Sequence, residues 1–358
     1  MGGKPDAGGA LLAYCRAGFE DDCAAELAAR AAETGVAGYC RTVPSAGWVC
    51  FHEPAPGDAA RLWEATAWRQ LVFARQRLWR IAECPGLPPA DRAGPLAAAA
   101  AAQLTQVSAL WVEYPDTTQG RELARLARRL EGPLKGALAR AGVALAPQTQ
   151  APRLHVLLLD GDYAWLATTP PTDSAPWPLG IPRLKLARQA PSRSALKLEE
   201  AWLSFLDEPA RRRRLAPGMR AVDLGAAPGG WSWQLARRGL EVTAVDNGPL
   251  APQALAAGRV THLRADGFRY RPDRPVDWLV CDMVEQPHRI AKLTADWLVR
   301  GYCREAMVNL KLPMRRRFRA VTECLDLLRD RAANVPLELA CKQLYHDREE
   351  VTLHAWVR

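Results

Sequence analysis

An α/β fold is the expectation for this chain: a C-terminal sheet, mostly parallel, closed by an antiparallel terminal hairpin and preceded by smaller α+β units. Three observations predict it. Short β-branched or apolar runs at 221–224, 242–245, 260–263, 278–281 and 307–310 alternate with helical segments, the rhythm of a parallel sheet covered on both faces. The runs at 337–344 and 350–357 are joined by a short link, which only an antiparallel pair permits. The stretch Ala221-Val222-Asp223-Leu224-Gly225-Ala226-Ala227-Pro228-Gly229-Gly230 is an apolar run that ends in a glycine-rich turn.

That turn is the first candidate site. Glycines let the backbone turn sharply and approach a ligand. Asp246 closes the next strand 23 residues after Asp223, where an acid accepts hydrogen bonds from ribose hydroxyls. The turn does not follow Gly-x-Gly-x-x-Gly, which disfavours a pyrophosphate and favours a phosphate-free nucleoside such as S-adenosylmethionine. Asp266 and Asp282 likewise follow apolar runs, at the sheet edge where open α/β folds bind ligands. Helix N-capping accounts for one such acid; three in register beside a glycine turn point to a cofactor. The candidate contacts read from the turn and the strand ends are Asp223, Gly225, Gly229, Gly230, Asp246, Asp266 and Asp282; Ala227 and Pro228 lie within the same turn.

The 358 residues suffice for two or three domains, and 49% hydrophobic with 24% charged residues describes a globular protein. No signal-peptide pattern opens the sequence and no apolar run is long enough to span a bilayer, so a cytoplasmic location is expected and no membrane partner. Nine cysteines, an odd number with no Cys-x-x-Cys spacing, read as reduced thiols with no metal site. A net charge of +9 makes a polyanionic partner plausible. The basic residues are 41 arginines and seven lysines, so a lysine at a motif position carries information.

In the N-terminal half, residues 1–9 are glycine-rich and expected to be disordered. Strands at 11–15, 39–43 and 47–52 with a helix over 19–31 form a first α+β unit, continued through 63–78. A second unit has a helix over 96–104, a strand at 109–114, and a hairpin from 154–159 and 163–168 around Asp160-Gly161-Asp162. Between them, residues 120–141 carry Leu123, Leu126, Leu130, Leu134 and Leu138 on one helical face and basic residues on the other, with Pro133 expected to divide the helix in two. The prolines of 170–191 predict an extended linker and the domain boundary.

Two lysines fall where they face the acids. Lys311 ends the strand after that of Asp282, and Lys197 lies in a helix that Ser194 is placed to cap. Like charge and desolvation lower a lysine pKa, while Asp282 opposes the shift. A fall of about 3 pH units corresponds to about 4 kcal/mol, and the neutral amine is then a general base toward a hydroxyl. Cys281 offers a rival, nucleophilic chemistry on a base, but it alternates with Asp282 along the strand and is expected to point into the sheet packing.

Lys197, Asp282, Lys311 and a C-terminal glutamate resemble the Lys-Asp-Lys-Glu tetrad of Rossmann-like RNA ribose 2′-O-methyltransferases. The runs at 190–194, 196–200, 245–249, 281–285, 309–314 and 343–352, with Cys15-Arg16-Ala17-Gly18-Phe19-Glu20 near the start, are similar to one family almost throughout: the bacterial 23S rRNA cytidine 2′-O-methyltransferase M (RlmM) family. The resemblance implies a ferredoxin-like unit over 1–80, a THUMP RNA-binding domain over 81–169, the linker 170–191, and a Rossmann-like methyltransferase domain over 192–358. It implies S-adenosylmethionine as donor and a cytidine of the peptidyl-transferase loop of 23S rRNA as target, in free RNA or an early assembly intermediate. Carried over, Lys311 is the proton acceptor, and Ser194, residues 227–230, Asp246, Asp266 and Asp282 hold the cofactor. Ala227 stands where a cysteine can occur. The tetrad acid is Glu349 or Glu350; Glu350, directly before the strand residue Val351, is the choice. An RNA-binding module with an inactive methyltransferase-like domain is the alternative.

Overall fold

The computed structural model describes residues 10–54 and 56–358, so the expected disorder of 1–9 lies outside the described residues. The chain divides into two compact units, Met1–Ile181 and Pro182–Arg358.

The first unit contains β1 (Ala10–Tyr14), α1 (Glu20–Glu33), β2 (Tyr39–Thr42), β3 (Trp48–His52), α2 (Asp58–Ala65), β4 (Gln76–Cys84), α3 (Ala93–Ala101), β5 (Gln106–Val107), β6 (Ala109–Glu113), α4 (Ala124–Arg140), β7 (Ala144–Leu145), β8 (Arg153–Leu158) and β9 (Ala164–Thr169). Seven of these strands form one sheet in the order β2-β3-β1-β4-β9-β8-β6. Residue 80, the expected boundary of the ferredoxin-like unit, lies inside β4, which pairs with β1 on one side and β9 on the other. Both sections therefore share a continuous sheet. Pro133 does not divide α4, which runs unbroken from Ala124 to Arg140. Leu130, Leu134 and Leu138 bury one stripe, while Pro133 and Arg129 lie on the exposed face, so the hydrogen bond that proline cannot make is lost on the solvent side of the helix.

The proline-rich segment 170–191 contains the division between the two units, and its first half is tied to the first of them. Asp173 accepts a hydrogen bond from the Trp68 amide at 2.9 Å and pairs with Arg77, and the Leu179 amide donates to Glu113 at 2.5 Å. Glu113 is itself buried between Tyr14 and His155, at 3.0 and 2.9 Å. A buried carboxylate needs such donors, and the linker backbone supplies one of them. The linker's first half thus belongs to the first unit.

The second unit contains α5 (Ala195–Phe205), α6 (Glu208–Arg214), β10 (Arg220–Leu224), α7 (Gly230–Arg237), β11 (Glu241–Val245), α8 (Pro252–Ala256), β12 (Val260–Leu263), β13 (Val276–Cys281), α9 (Pro287–Val299), β14 (Cys303–Lys311), α10 (Arg317–Arg331), β15 (Leu337–Lys342) and β16 (Glu350–Val357). The sheet order is β12-β11-β10-β13-β14-β16-β15. The first five strands are mutually parallel; β16 runs antiparallel to both neighbours, between β14 and β15. Trp202, Leu235, Val242, Trp278 and Met307 belong to the core that covers the sheet. This topology brings the C-terminal ends of β10, β11, β13 and β14 and the start of β16 to one edge. No described helix is long and apolar enough to cross a membrane. None of the nine cysteines is paired.

Candidate active site

Four charged side chains close a ring at that edge. Lys311 Nζ lies 2.6 Å from Asp282 Oδ1 and 3.2 Å from Glu350 Oε2. Lys197 Nζ lies 3.1 Å from Asp282 Oδ2 and 2.5 Å from Glu350 Oε1. Each ammonium touches both carboxylates, and each carboxylate touches both ammoniums. The backbone explains the arrangement. Lys311 and Glu350 are directly opposed in the β14–β16 register, so their side chains share a face. Asp282 follows β13 beside β14, and Lys197 reaches in from the first turn of α5.

The same register separates the two glutamates. Glu349, on the other face, pairs with Arg317 at 2.9 Å and is half exposed, whereas Glu350 is 7% exposed inside the ring. Burial raises the cost of charge on Asp282, Glu350 and Lys197, but opposite charge outweighs it. Lys311 and Lys197, with Asn309, hold the Asp282 carboxyl below its ordinary range. The two lysines do the same for Glu350. Burial opposes the charge on Lys197, yet Asp282 and Glu350 together raise its pKa. The lowered lysine pKa expected from like charge and desolvation is therefore not found at Lys197, because two carboxylates contact it.

Asn309 escaped the sequence reading. It is fully buried and donates from Nδ2 to Asp282 Oδ1 at 2.9 Å. Its Oδ1 accepts from Thr352 Oγ1 at 2.8 Å, and Thr352 also contacts buried Asp347. The signal was present: Asn309 precedes Lys311 by two positions on a strand, which places both on one face.

The glycine turn lies beside this ring. Gly225 and Gly229 have φ of +72° and +105°, a region costly for residues with a Cβ. A Cβ on Gly225 would strike the Met283 side chain, and one on Gly230 would strike the hydroxyls of Ser192 and Ser194. Asp246 sits past the end of β11, where its carboxylate accepts from the amides of Ala227 at 2.9 Å and Gly248 at 2.7 Å. Asp266 is half exposed and accepts from the Phe268 amide at 2.8 Å. Pro228 lies within the turn, and Gly229 is the N-cap of α7.

Two candidates differ from expectation. Asp223 does not face the turn's surface; it is 1% exposed and accepts from Ser232 Oγ at 2.7 Å, so it braces α7 from within. Burial pushes its carboxyl up to about 7. Ser194 precedes α5 but makes no side-chain cap. Its hydroxyl shares a hydrogen bond with Ser192 at 2.6 Å, and its carbonyl accepts from Trp231 Nε1 at 2.9 Å, tying the start of α5 to α7. Cys281 is 1% exposed, and burial pushes its thiol up to about 12, which leaves it protonated and removed from solvent.

Chemically, the edge offers a closed set of two amines and two carboxylates next to a turn that presents backbone amides, small side chains and acids. Residues 9–78 match the RlmM ferredoxin-like domain, residues 91–169 the N-terminal domain of ribosomal RNA large subunit methyltransferase M, and residues 190–316 the FtsJ-like methyltransferase family. The chain is 53% identical over 346 residues to ribosomal RNA large subunit methyltransferase M of Xanthomonas campestris pv. campestris (strain B100), covering 96% of this chain and 98% of that protein. Identity and coverage are the same for the protein of that name from Xanthomonas oryzae pv. oryzae (strain PXO99A). Among solved structures it is similar to TrmN from Thermus thermophilus, with 18% identity, a TM-score of 0.36, and coverage of 98% of this chain and 99% of that one.

Proposed function

The chain belongs to the ribosomal RNA large subunit methyltransferase M family, and from that premise we propose that its second unit methylates the 2′-hydroxyl of a cytidine in the peptidyl-transferase loop of 23S rRNA. The observation that carries this reading is the closed ring of Lys197, Asp282, Lys311 and Glu350 beside the glycine turn. The groups around the turn suit S-adenosylmethionine. Asp246 and Asp266 are acceptors for ribose hydroxyls, and Gly225, Ala227, Pro228, Gly229, Gly230 and Ser194 leave room for close backbone approach. This donor set includes no cation directed at a phosphate. When bound, this cofactor would supply a sulfonium-linked methyl whose carbon a nucleophilic oxygen attacks, the neutral thioether departing with the electrons of the broken S–C bond.

The chain's own residues then prepare the oxygen. Lys311 Nζ, after releasing one ammonium proton to solvent, accepts the 2′ proton as the oxygen becomes a nucleophile. Lys197 stays charged, as its two carboxylate partners favour, and stabilises negative charge growing on that oxygen. Asp282 sets the spacing of the two amines, and Asn309 fixes Asp282 from behind. Glu350 bridges both lysines from the opposite side. Such positioning replaces a chance encounter by a defined geometry. Asp223 acts as a brace for α7 rather than as a ligand. For the first unit we propose RNA binding through a THUMP-type section within residues 81–169, aided by the exposed basic face of α4.

The test is methyl transfer from labelled S-adenosylmethionine to unmodified 23S rRNA, free or in assembled subunits, with the product nucleoside identified. Label in 2′-O-methylcytidine, lost in Lys311→Ala while donor binding persists, is the expected result. Label on a base, or retained turnover in Lys311→Ala, overturns the mechanism.

A further inference from the structure

A groove of about 440 Å³ is lined by none of the ring's members but by residues on the segments that lead to them. Its walls are Arg183, Leu184, Arg193 and Leu196 on one side and Tyr345 and His346 on the other. The first wall runs into Ser194 and Lys197, since Arg193 and Leu196 each adjoin one of them in sequence. The second wall is the loop between β15 and β16, which leads within a few residues to Glu350. Both segments that frame the groove therefore also carry the ring.

The loop is held rigidly from below. Glu200, on α5 and 2% exposed, accepts from the Tyr345 amide at 2.7 Å, the His346 amide at 2.8 Å and His346 Nδ1 at 2.6 Å. Asp347, also buried, accepts from the Leu344 amide at 3.0 Å. The helix that carries Lys197 thus fixes the backbone from which Tyr345 projects. Across the groove the Arg183 guanidinium lies over that ring, 5.3 Å from its centroid, and donates to its hydroxyl at 3.2 Å. Two planar groups and a second arginine, Arg193, line one opening together with leucines.

Planar aromatic and guanidinium surfaces stack unpaired bases, and arginines contact phosphates. A rim of two arginines excludes a cationic guest and complements a polyanion. We propose that this groove seats a nucleotide of the substrate RNA next to the methylated one. Its base stacks on the Arg183–Tyr345 pair, and its phosphate meets Arg183 or Arg193. This assignment rests on the ribose-methylation reading above and adds the path of the strand: it enters the ring past the β15–β16 loop. Seating the neighbouring nucleotide in a fixed groove is also what aligns one ribose with Lys311.

The test uses the full chain and an unmodified 23S rRNA transcript, with Kd measured across a potassium chloride series and methylation followed as kcat and KM separately. Removing a stacked base contact in Tyr345→Ala is expected to raise Kd and KM by about 5- to 150-fold, with kcat changed far less. Tyr345→Phe, which keeps the ring, is expected to restore most of the loss. Arg183→Ala is expected to weaken binding and to flatten the dependence of log Kd on log salt by about 0.7 for a lost phosphate contact. Arg183→Lys is expected to keep the slope while losing the planar stack. Arg183 is exposed and meets the loop through the Tyr345 side chain, whereas Glu200 holds the loop backbone, so its variants report on the groove even where Tyr345→Ala fails to fold. Wild-type Kd, KM and salt slope in the Arg183 variants overturn the groove while ribose methylation by the wild type still stands. A fall confined to kcat in Tyr345→Ala, not restored by phenylalanine, also overturns it. Absence of ribose label with the wild type overturns both readings.

Discussion

Asp282→Asn is the substitution that most directly probes the ring. It conserves shape and removes one negative charge, so two ammoniums then share Glu350 alone. Asp282 accepts from Lys311 at 2.6 Å, from Lys197 at 3.1 and 3.3 Å, and from Asn309 at 2.9 Å. The amide oxygen of asparagine keeps the contacts of Oδ1, but its NH2 group faces the Lys197 ammonium, donor against donor. Hydrogen bonds to charged groups contribute about 1.5–3 kcal/mol each, and breaking a fully buried pair costs about 3–5 kcal/mol. The side chains here are 15–20% exposed, so solvent screens part of that cost, and a loss of about 2–3 kcal/mol is expected. At about 2–4 °C per kcal/mol for a unit of this size, the second unit should melt about 4–12 °C lower. Methyl transfer should fall by about 100-fold or more, the cost of misplacing reacting groups by an ångström. Adding Lys197→Met removes the excess cation, so the double variant should be more stable than the sum of the two single losses by about 1–3 kcal/mol. Strict additivity of the two changes, or a single variant that melts and methylates like the wild type, refutes the picture of Asp282 as the hub.

Two further outcomes follow from the site's second layer. Burial holds the Asp223 carboxyl at about 7, against an ordinary 3.8, so the folded state binds that proton more tightly; the stability this adds is complete below about 3.8 and lost as pH rises through about 7. Asp223→Asn, neutral throughout, should therefore gain stability relative to the wild type between pH 5 and pH 8, by at most about 3 kcal/mol, as read from denaturant midpoints; an equal offset at both pH values rules this out. Gly225→Ala forces a Cβ into the left-handed region and toward Met283; calorimetry should find donor binding weakened by about 10-fold or more, from a strain of about 1–2 kcal/mol, and a Kd within twofold of wild type removes the need for glycine there.

Much of this site is legible in the residues because a parallel sheet converts sequence position into spatial position. Any residue that follows an apolar run arrives at the same edge, so Asp246, Asp282 and Lys311 declare themselves. The pairing of Lys311 with Glu350 needed one more fact, the register of β14 against β16, which the choice between Glu349 and Glu350 could only approximate. What escaped was set by partners distant in the chain. Ser194 reads as a cap until Ser192 takes its hydroxyl. Asp223 reads as a ligand until Ser232 is seen to enclose it. The proline-rich segment reads as an extended linker, but that Trp68, Arg77 and Glu113 hold its first half is set by residues far away in the chain. Pro133 reads as a break because its ring is visible in the sequence, while the burial of Leu130 and Leu134 that keeps α4 whole is a tertiary effect.

The insertion of β16 between β14 and β15 has a consequence in time. As the chain leaves the ribosome, β14 and β15 emerge before the strand that joins them, and the lane between them stays open until residues 350–357 follow. Glu350 arrives only with that strand. A nascent or clipped molecule can therefore present the glycine turn, Lys197, Asp282 and Lys311, and still lack the second carboxylate that balances its two lysines. Assembly of the sheet and completion of the charge ring are one event, so the fold withholds the finished site from any incompletely synthesised copy of itself.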